Sequence, residues 1–259
     1  MPSELERAVS FEEALRERCA ERIVPFRFGR ALFNDSLPLV WDLNVLRVDR
    51  PAGATAEALA AEADRLQGEA GHGHRRVAVN DEGAGEALAE PFRSLGWRVD
   101  RFLVMGWRGV GERVAVATTP VDEVDAAALR PLREAIVRAE PWGKSEEVRR
   151  MVVDSAQLLG RVGSARHFAV RENDEVASAA DLYSDGRTAQ VEDVATFPEH
   201  RGRGYATAVV LRAVEEALAT GHDFVFLVAD AEDWPKELYV RLGFAPLGHT
   251  WTYLRTPAQ

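Results

Sequence analysis

The chain has 259 residues, of which 46% are hydrophobic and 29% are charged, a composition typical of a globular protein. Its formal net charge of −10 argues against general nucleic-acid binding, which favours a basic surface. The single cysteine, Cys19, excludes an internal disulfide and a cysteine metal cluster. No apolar run approaches the length of a membrane span, and the charged N-terminus lacks a signal-peptide core. We therefore expect a cytoplasmic protein with no nucleic-acid or membrane partner.

The first hundred residues are predicted to alternate between helices and strands. Apolar periodicity and turn-forming residues predict helices over 1–22, 55–70 and 86–95, and strands over 24–33, 39–48, 77–79 and 99–107. His72 and His74 lie in a glycine loop between two of these elements. Because no further ligand is clustered near them, we expect packing residues and not a metal site.

The second part of the chain follows a similar order after a predicted linker at 109–111. Strands are predicted at 113–118, 167–170, 176–183, 191–196, 224–228 and 249–254, and helices at 124–138, 145–159, 206–220 and 235–242. Proline suits the first turn of a helix, so Trp234-Pro235 is expected to open the last helix, with Asp233 helping to cap it.

A short tripeptide points to an internal repeat. Leu95-Gly96-Trp97 is similar to Leu242-Gly243-Phe244. Each follows a short amphipathic helix and precedes an extended apolar stretch, and the order strand, helix, strand, helix, strand occurs twice. We predict two domains, 1–110 and 111–259, of which the first is a degenerate copy. The alternative is that two unrelated α/β segments share a tripeptide.

The most informative stretch joins a strand to a helix through a glycine-rich turn. Val191–Thr196 is rich in strand-forming residues, Pro198 ends the strand, and Arg201–Gly204 contains two glycines and two arginines before the helix begins. The first amides of a helix lack internal partners and carry partial positive charge. Glycine lets a phosphate approach these amides. The turn is therefore predicted to bind a phosphorylated ligand.

The turn also carries a family resemblance. Arg201-Gly202-Arg203-Gly204-Tyr205-Ala206 fits the pattern R/Q-x-x-G-x-G/A, and the chain here resembles the GNAT superfamily of acetyl-CoA-dependent N-acyltransferases. Val194-Ala195-Thr196-x-Pro198 before the turn and Leu238-Tyr239-x-x-Leu242-Gly243-Phe244 after it strengthen the resemblance. It covers roughly 112–255 well and the first hundred residues weakly. It implies an α/β fold with a mixed β-sheet flanked by helices, in two tandem copies.

The resemblance also implies a co-substrate and the residues that bind it. In the family this loop wraps the pyrophosphate of coenzyme A, so we expect acetyl-CoA to bind here and no metal to be required. The expected contacts are Val194, Thr196, Arg201, Gly202, Arg203, Gly204, Tyr205, Ala206 and Thr207. The corresponding turn of the first half, Asp49–Thr55, has one glycine and lacks the pattern. We expect that half to bind no cofactor and to wall the acceptor site.

Two residues are candidates for the acid–base chemistry. Tyr239 stands where the family commonly has a tyrosine near the departing sulfur, and could protonate the thiolate or could simply pack in the core. Strand alternation predicts that Glu192 shares a face with Val194 and Thr196, with Asp193 on the opposite face. Glu192 is therefore the candidate base, the alternative being a carboxylate that only hydrogen-bonds a neighbour.

These observations predict an N-acetyltransferase that moves an acetyl group to a primary amine by direct attack in a ternary complex. The acceptor is a small-molecule amine or a peptide amine, and the protein is expected to be a monomer or homodimer. The alternatives are a non-catalytic acyl-CoA-binding or sensing module and a phosphate site for another nucleotide. Glu232 and Pro235 stand where the family often has an asparagine and a small residue, which leaves the acyl-chain length open.

Overall fold

The computed structural model describes residues 2–109 and 119–256. The predicted strand at 113–118 lies outside the described residues, as does part of the predicted linker at 109–111. Seven α-helices occur in the described part of the chain: α1 (Glu4–Cys19), α2 (Ala56–Glu69), α3 (Glu82–Ser94), α4 (Arg130–Ala139), α5 (Glu146–Val162), α6 (Tyr205–Ala219) and α7 (Pro235–Leu242). Three short 3₁₀ helices cover Trp41–Leu43, Ala126–Leu129 and Pro198–His200.

The described strands form one sheet. They are β1 (Arg22–Phe26), β2 (Gly29–Phe33), β3 (Val45–Val48), β4 (Arg75–Val79), β5 (Arg98–Trp107), β6 (Asp122–Val124), β7 (Arg166–Glu172), β8 (Glu175–Ser184), β9 (Thr188–Thr196), β10 (Phe224–Asp230) and β11 (Phe244–Arg255). Their order is β1-β2-β3-β4-β11-β5-β10-β9-β8-β7-β6. The β3–β4 and β9–β10 pairs are parallel, and the other pairs are antiparallel. The predicted mixed sheet is therefore confirmed.

The strand order has an internal symmetry. From the β1 edge, the strand order is β1-β2-β3-β4-β11-β5. From the opposite edge, after β6, the order is β7-β8-β9-β10-β5-β11. The parallel pair stands at the same place in each series. The last strand of each half therefore lies inside the sheet of the other half. The division into domains at residue 110 stays a prediction.

Helices cover both faces of the sheet. Along β10, Phe224 and Phe226 belong to a buried cluster with α1, whereas Val225 and Leu227 belong to a cluster with α6. Neighbouring residues of a strand point to opposite faces, so α1 and α6 lie on opposite sides. Helix α5 packs with α1, and α2 and α3 form the buried cluster of the first half.

The predicted elements differ from the observed ones in a few places. The predicted strand at 24–33 is a hairpin, β1 and β2, in which Phe26 pairs with Gly29. The predicted strand at 39–48 begins as a 3₁₀ helix and becomes extended only at Val45. Helix α7 has no side-chain cap at its start, so the predicted cap by Asp233 is wrong. The local signals of these segments were overridden by contacts with the rest of the sheet.

Candidate functional site

The two parallel strands of the second half separate midway along their length. Strand β9 pairs with β10 only from Thr188 to Gln190, opposite Phe224 to Phe226. Beyond this point, Val191–Thr196 stays paired with β8 only. The main-chain groups of β9 that face β10 are therefore available to a ligand, because buried main-chain groups need hydrogen-bonding partners. Val194 and Thr196 lie in this separated part, as the predicted main-chain contacts require.

The glycine turn leads directly from the separated strand into α6. Gly202 has φ of 77° and Gly204 has φ of 82°, and a Cβ atom at either position would meet nothing within 4 Å. Gly204 is the N-cap of α6, which has no side-chain cap. The amides of Tyr205, Ala206 and Thr207 in the first turn are therefore left for solvent or a ligand. This is a cradle with room for an anion.

The corresponding turn of the first half is built differently. Gly53 also has a positive φ, 74°. However, the side chain of Thr55 caps α2 by accepting a hydrogen bond from the amide of Ala58 at 3.2 Å. Strand β3 ends at Val48 while it is still paired with Val79 of β4. The first half thus lacks both the uncapped helix start and the separated strand pair.

A carboxylate lies beside the cradle. Glu172, at the end of β7, accepts a hydrogen bond from the hydroxyl of Tyr205 and forms an ion pair of 3.1 Å with Arg203. The hydrogen bond from Tyr205, followed by those from Arg203, holds the pKa of Glu172 below its usual range. Arg201 donates through Nε to the carbonyl oxygen of Thr196 at 3.4 Å. These contacts join the turn to the ends of β7 and β9.

A bulge in β9 changes which of its side chains face the adjacent cavity. Asp193 has φ of 50°, and the β8–β9 register shifts so that Ala179 pairs with Ala195 but Asp181 pairs with Glu192. Glu192 and Asp193 both line one cavity. The prediction that Asp193 points away from Glu192 is therefore wrong, because the extra residue of a bulge interrupts the alternation of a strand.

Glu192 and its predicted neighbour Val194 have different side-chain contacts. Val194 packs against the buried cluster of α6. Glu192 accepts a hydrogen bond of 2.6 Å from the side-chain amide of Gln190. The same amide donates to Glu12 of α1 at 3.2 Å. Val194 also lines the cavity together with Glu192, so their predicted common face stays a prediction. Glu192 faces α1.

The two adjacent carboxylates have different electrostatic surroundings. Burial, together with Asp193 and Glu12, raises the pKa of Glu192 above its usual range. Asp193 lies 3.6 Å from Arg133 of α4, and 42% of its side chain is exposed. Its pKa is raised by its recessed position and by Asp181, and Arg133 opposes this rise. Both carboxylates of the bulge therefore retain a proton to higher pH than free carboxyl groups do.

Arg133, the ion-pair partner of Asp193, belongs to a buried polar network. Arg133 forms an ion pair with Asp181, which is fully buried. The other carboxylate oxygen of Asp181 lies 2.7 Å from Nδ1 of His167, which is itself buried. Buried charged groups are costly unless they are paired in this way. The network therefore fixes Arg133, and through it the orientation of Asp193.

Tyr239 lies on the other side of β9 in the cluster of α6. It is 8% exposed, packs edge-on against Phe244, and belongs to the cluster that Val194 and Tyr205 also contact. Burial, with a contribution from Glu192, raises the pKa of Tyr239 to about 12. The phenol is thus protonated throughout the physiological range. Its predicted role as an acid stays a prediction.

The cavity beside Glu192 and Asp193 has a volume of about 610 Å³. Both halves of the chain line it: Glu12, Leu15 and Arg16 of α1, the segment 38–43, and residues of α4, α5 and β9. Pockets of this size are typical of small-molecule sites. Glu192 and Asp193 form part of its wall, so the candidate base is open to a bound molecule.

Within residues 2–109 and 119–256, no three side chains of the metal-binding types come together in a way that could hold an ion. His72 stacks on Phe33 and His74 stacks on Trp41, so both histidines have packing contacts. Among the described helices, none is both long and apolar enough to cross a bilayer.

Comparison with known families agrees with this geometry. The model of the Acetyltransferase (GNAT) family matches residues 129–244, a range that includes the separated strands, the glycine turn and Tyr239. The chain therefore contains a GNAT acetyltransferase domain. None of the curated protein sequences compared with the chain matches it.

Solved structures extend the similarity of fold over most of the chain. A conserved protein of unknown function from Staphylococcus epidermidis ATCC 12228 aligns with a TM-score of 0.71 at 15% identity, over 92% of this chain and 95% of its own. A GCN5-related N-acetyltransferase from Kribbella flavida has a TM-score of 0.63 at 19% identity, over 100% and 97%. A tandem GNAT protein from the clavulanic acid biosynthesis pathway has 0.55 at 15%, over 89% and 78%.

Several residues of the site were missed by reasoning from the sequence. Gln190 contacts Glu192 and Glu12, Arg133 contacts Asp193, and Glu172 contacts the glycine turn. Strand alternation could have indicated Gln190, because it lies two residues before Glu192 on the same strand. The others come from elements distant in sequence and carry no local signal.

Proposed function

We propose that this protein is an N-acetyltransferase that transfers the acetyl group of acetyl-CoA to a primary amine in a ternary complex. The observation that carries the proposal is the uncapped start of α6, preceded by two glycines of positive φ and by a strand that separates from its neighbour. An uncapped helix start attracts phosphate groups, and a separated strand offers main-chain partners to an amide-rich ligand.

The residues at this position fit coenzyme A. Gly202 and Gly204 leave open space where a side chain would stand, so the diphosphate can approach the amides of Tyr205, Ala206 and Thr207. Arg201 and Arg203 add positive charge to the turn. The main-chain amides near Val194 and Thr196 are the candidates for holding the pantetheine arm and the carbonyl oxygen of the acetyl group. Acetyl-CoA supplies an acyl group already activated as a thioester, so no metal is required.

The first chemical step on the acceptor side is the removal of a proton from the bound ammonium. Glu192 accepts a proton from the bound ammonium, because only a neutral nitrogen can attack a carbonyl carbon. Its raised pKa brings it closer to the pKa of an amine and makes it a stronger base. Asp193 lines the same cavity, and its charge is balanced by Arg133.

The remaining steps form the C–N bond, break the C–S bond and transfer the protons that the nitrogen loses. The nitrogen forms the new C–N bond while the main-chain amides of β9 donate to the oxygen that gains negative charge, and the C–S bond breaks. Relative to the ammonium, the nitrogen loses two protons. One reaches solvent through Glu192, and the other balances the proton that the departing sulfur receives, for which Tyr239 is the candidate donor. The products are the N-acetyl amide and the thiol of coenzyme A.

The test is a screen of acetyl-CoA consumption over a panel of amines, with Gly204→Glu as the blocked control. A glutamate side chain would place a negative charge in the open space of the turn, and its φ of 82° would also strain the backbone. We expect at least one amine to release free thiol with the wild-type protein and none with the variant. Equal activity of the variant would contradict the assignment of the turn.

Two other functions are separated by calorimetric titration of the wild-type protein. If acetyl-CoA binds but no amine is acetylated, the protein is an acyl-CoA-binding or sensing module. If ATP or NAD binds and acetyl-CoA does not, the turn serves another nucleotide. We expect acetyl-CoA to bind, and neither ATP nor NAD to bind.

A further inference from the structure

The cavity on the acceptor side is enclosed by parts of the chain that are far apart in sequence. Leu37, Val40 and Leu43 of the first half pack with Met151 of α5 in one buried cluster. The same segment and the same helix line the cavity, so they close one end of it. A volume of about 610 Å³ between such walls fits a small molecule rather than a folded polypeptide.

The charges that line the cavity are largely paired with one another. Asp42 and Arg76 form an ion pair of 2.5 Å, and Asp193 lies 3.6 Å from Arg133. Glu12 and Arg16 are 4.0 Å apart. Within the described residues, Glu192 has no cationic group within 4.0 Å and accepts its hydrogen bond from a neutral amide. Arg98 also lines the cavity and pairs with Asp100 at 3.0 Å, outside it. Glu192 is therefore the carboxylate of the wall that lacks an ion-pair partner among the described residues, and an ammonium group could supply one.

Beyond the charged groups, most side chains of the wall are apolar, and its neutral polar members are His74, Ser155, Tyr183 and Gln190. Its apolar side chains come from α1, the segment 38–43, α4 and α5, and include Leu15, Leu39, Ile136, Val148, Val152 and Leu159. A polar or charged group placed against such a wall loses its water without gaining a partner, which is costly. An apolar group gains free energy in proportion to its buried area.

We infer that the acceptor is a small primary amine with a single positive charge and an apolar body, its ammonium at Glu192 and its body between α1, α5 and the segment 38–43. This inference rests on the proposed function, because it identifies the class of amine that the transferase takes. It distinguishes such amines from polyamines, amino sugars and the lysine side chains of proteins, which carry further polar groups beside or beyond the amine.

The first experiment measures kcat/KM for acetylation of linear alkylamines from propylamine to hexylamine at saturating acetyl-CoA. Each added methylene is expected to raise kcat/KM by about fourfold, as its burial is worth ~0.8 kcal/mol. The matched competitor is 1,5-diaminopentane, which has as many heavy atoms as hexylamine but ends in a second ammonium. We expect hexylamine to be preferred by about 100-fold or more, because the second charge would be buried unpaired.

The second experiment changes the wall without changing its shape. Val152→Thr replaces a methyl group with a hydroxyl group at the cavity and should lower kcat/KM for hexylamine by about fivefold or more, with the KM for acetyl-CoA unchanged. Val240→Thr is the matched control, since Val240 lies on α7, is 53% exposed and does not line the cavity. Calorimetric titration of each variant with hexylamine in the presence of CoA gives a binding readout that does not depend on turnover.

The outcomes separate the inference from the proposed function. If 1,5-diaminopentane, spermidine, glucosamine or a lysine peptide is acetylated as well as or better than hexylamine, the proposed function stands and the inference is overturned. Equal loss of hexylamine binding in Val152→Thr and Val240→Thr would also overturn it. If no amine is acetylated although acetyl-CoA binds, the proposed function fails and the inference fails with it.

Discussion

At the scale of single residues, the two carboxylates of the β9 bulge are the most informative feature. Glu192 is held by the neutral amide of Gln190, whereas Asp193 lies beside Arg133. The sequence identified Glu192 as a candidate base but assigned the wrong face to Asp193. The bulge could not be foreseen because it depends on the register with β8, and nothing in the local sequence demands a positive φ at an aspartate.

The role of Glu192 predicts the effect of replacing it. Glu192→Gln removes the proton acceptor and keeps the size of the side chain, so kcat should fall by about 10²-fold to 10⁴-fold, as expected for a lost general base. The KM for acetyl-CoA should not change, because the glycine turn is untouched. Steady-state kinetics with both substrates varied gives the two constants. An unchanged kcat would exclude Glu192 as the base.

The pH dependence of the wild-type protein follows from the same residue. A base acts only when ionised, so kcat should rise with pH through the pKa of Glu192, which lies above the usual range of a glutamate. Glu12→Gln removes one of the negative charges that raise this pKa, with Asp193 and Asp181 left in place. The rise of kcat with pH should then occur at lower pH. A rise of kcat that occurs at the same pH or at higher pH would contradict the electrostatic account.

Tyr239 is tested by removal of its hydroxyl group. Its pKa of about 12 lies well above that of a thiol, about 8.5, so the phenol acts on the sulfur chiefly as a hydrogen-bond donor. Tyr239→Phe should lower kcat by about 10-fold to 100-fold, since a hydrogen bond to a charged group is worth ~1.5–3 kcal/mol. Acetyl-CoA binding, measured by calorimetry, should persist. A variant with wild-type kcat would show that Tyr239 only packs.

At the scale of elements, the chain contains two versions of one strand–turn–helix unit. The turn before α6 has two glycines and no side-chain cap, whereas the turn before α2 has one glycine and a threonine cap. The difference in glycines was predicted from the sequence, because glycine acts locally. The cap by Thr55 was not predicted, although threonine is a common N-cap residue. The separation of β9 from β10 was not derivable from the residues, because it depends on pairing with other strands.

The two turns provide a matched pair of variants. Gly204→Ala and Gly53→Ala each place a side chain at a positive φ, 82° and 74°, and neither Cβ would meet a neighbour within 4 Å. Each should lower the free energy of unfolding by about 1–2 kcal/mol. Only Gly204→Ala should raise the KM for acetyl-CoA, by about tenfold or ~1.4 kcal/mol, because its methyl group obstructs the diphosphate. An equal rise in both variants would contradict the assignment of the turn.

At the scale of the whole molecule, each half completes the sheet of the other. Strand β11 lies between β4 and β5, and β5 lies between β11 and β10. The repeated Leu-Gly-aromatic tripeptide predicted two related halves, since it marks the same helix end in each. The exchange of the last strands could not be predicted, because it joins residues more than a hundred positions apart and leaves no local signal.

This exchange predicts that the two halves unfold together. Phe92 is fully buried in the first half, where it stacks on Tyr253 of β11 with ring centroids 4.1 Å apart. Phe92→Ala should lower the free energy of unfolding by about 3–5 kcal/mol. Hydrogen exchange followed by mass spectrometry should show equal loss of protection in α2 and α6. Independent transitions, with α6 still protected, would show that the second half is stable without the first.

The measurement that tests the central claim most directly is a crystal structure of the protein soaked with acetyl-CoA. The account predicts the diphosphate at the start of α6, against the amides beside Gly204, with the thioester between β9 and β10 and pointing toward Glu192. Electron density for acetyl-CoA at the turn before α2, or at any site away from the glycine turn, would contradict it.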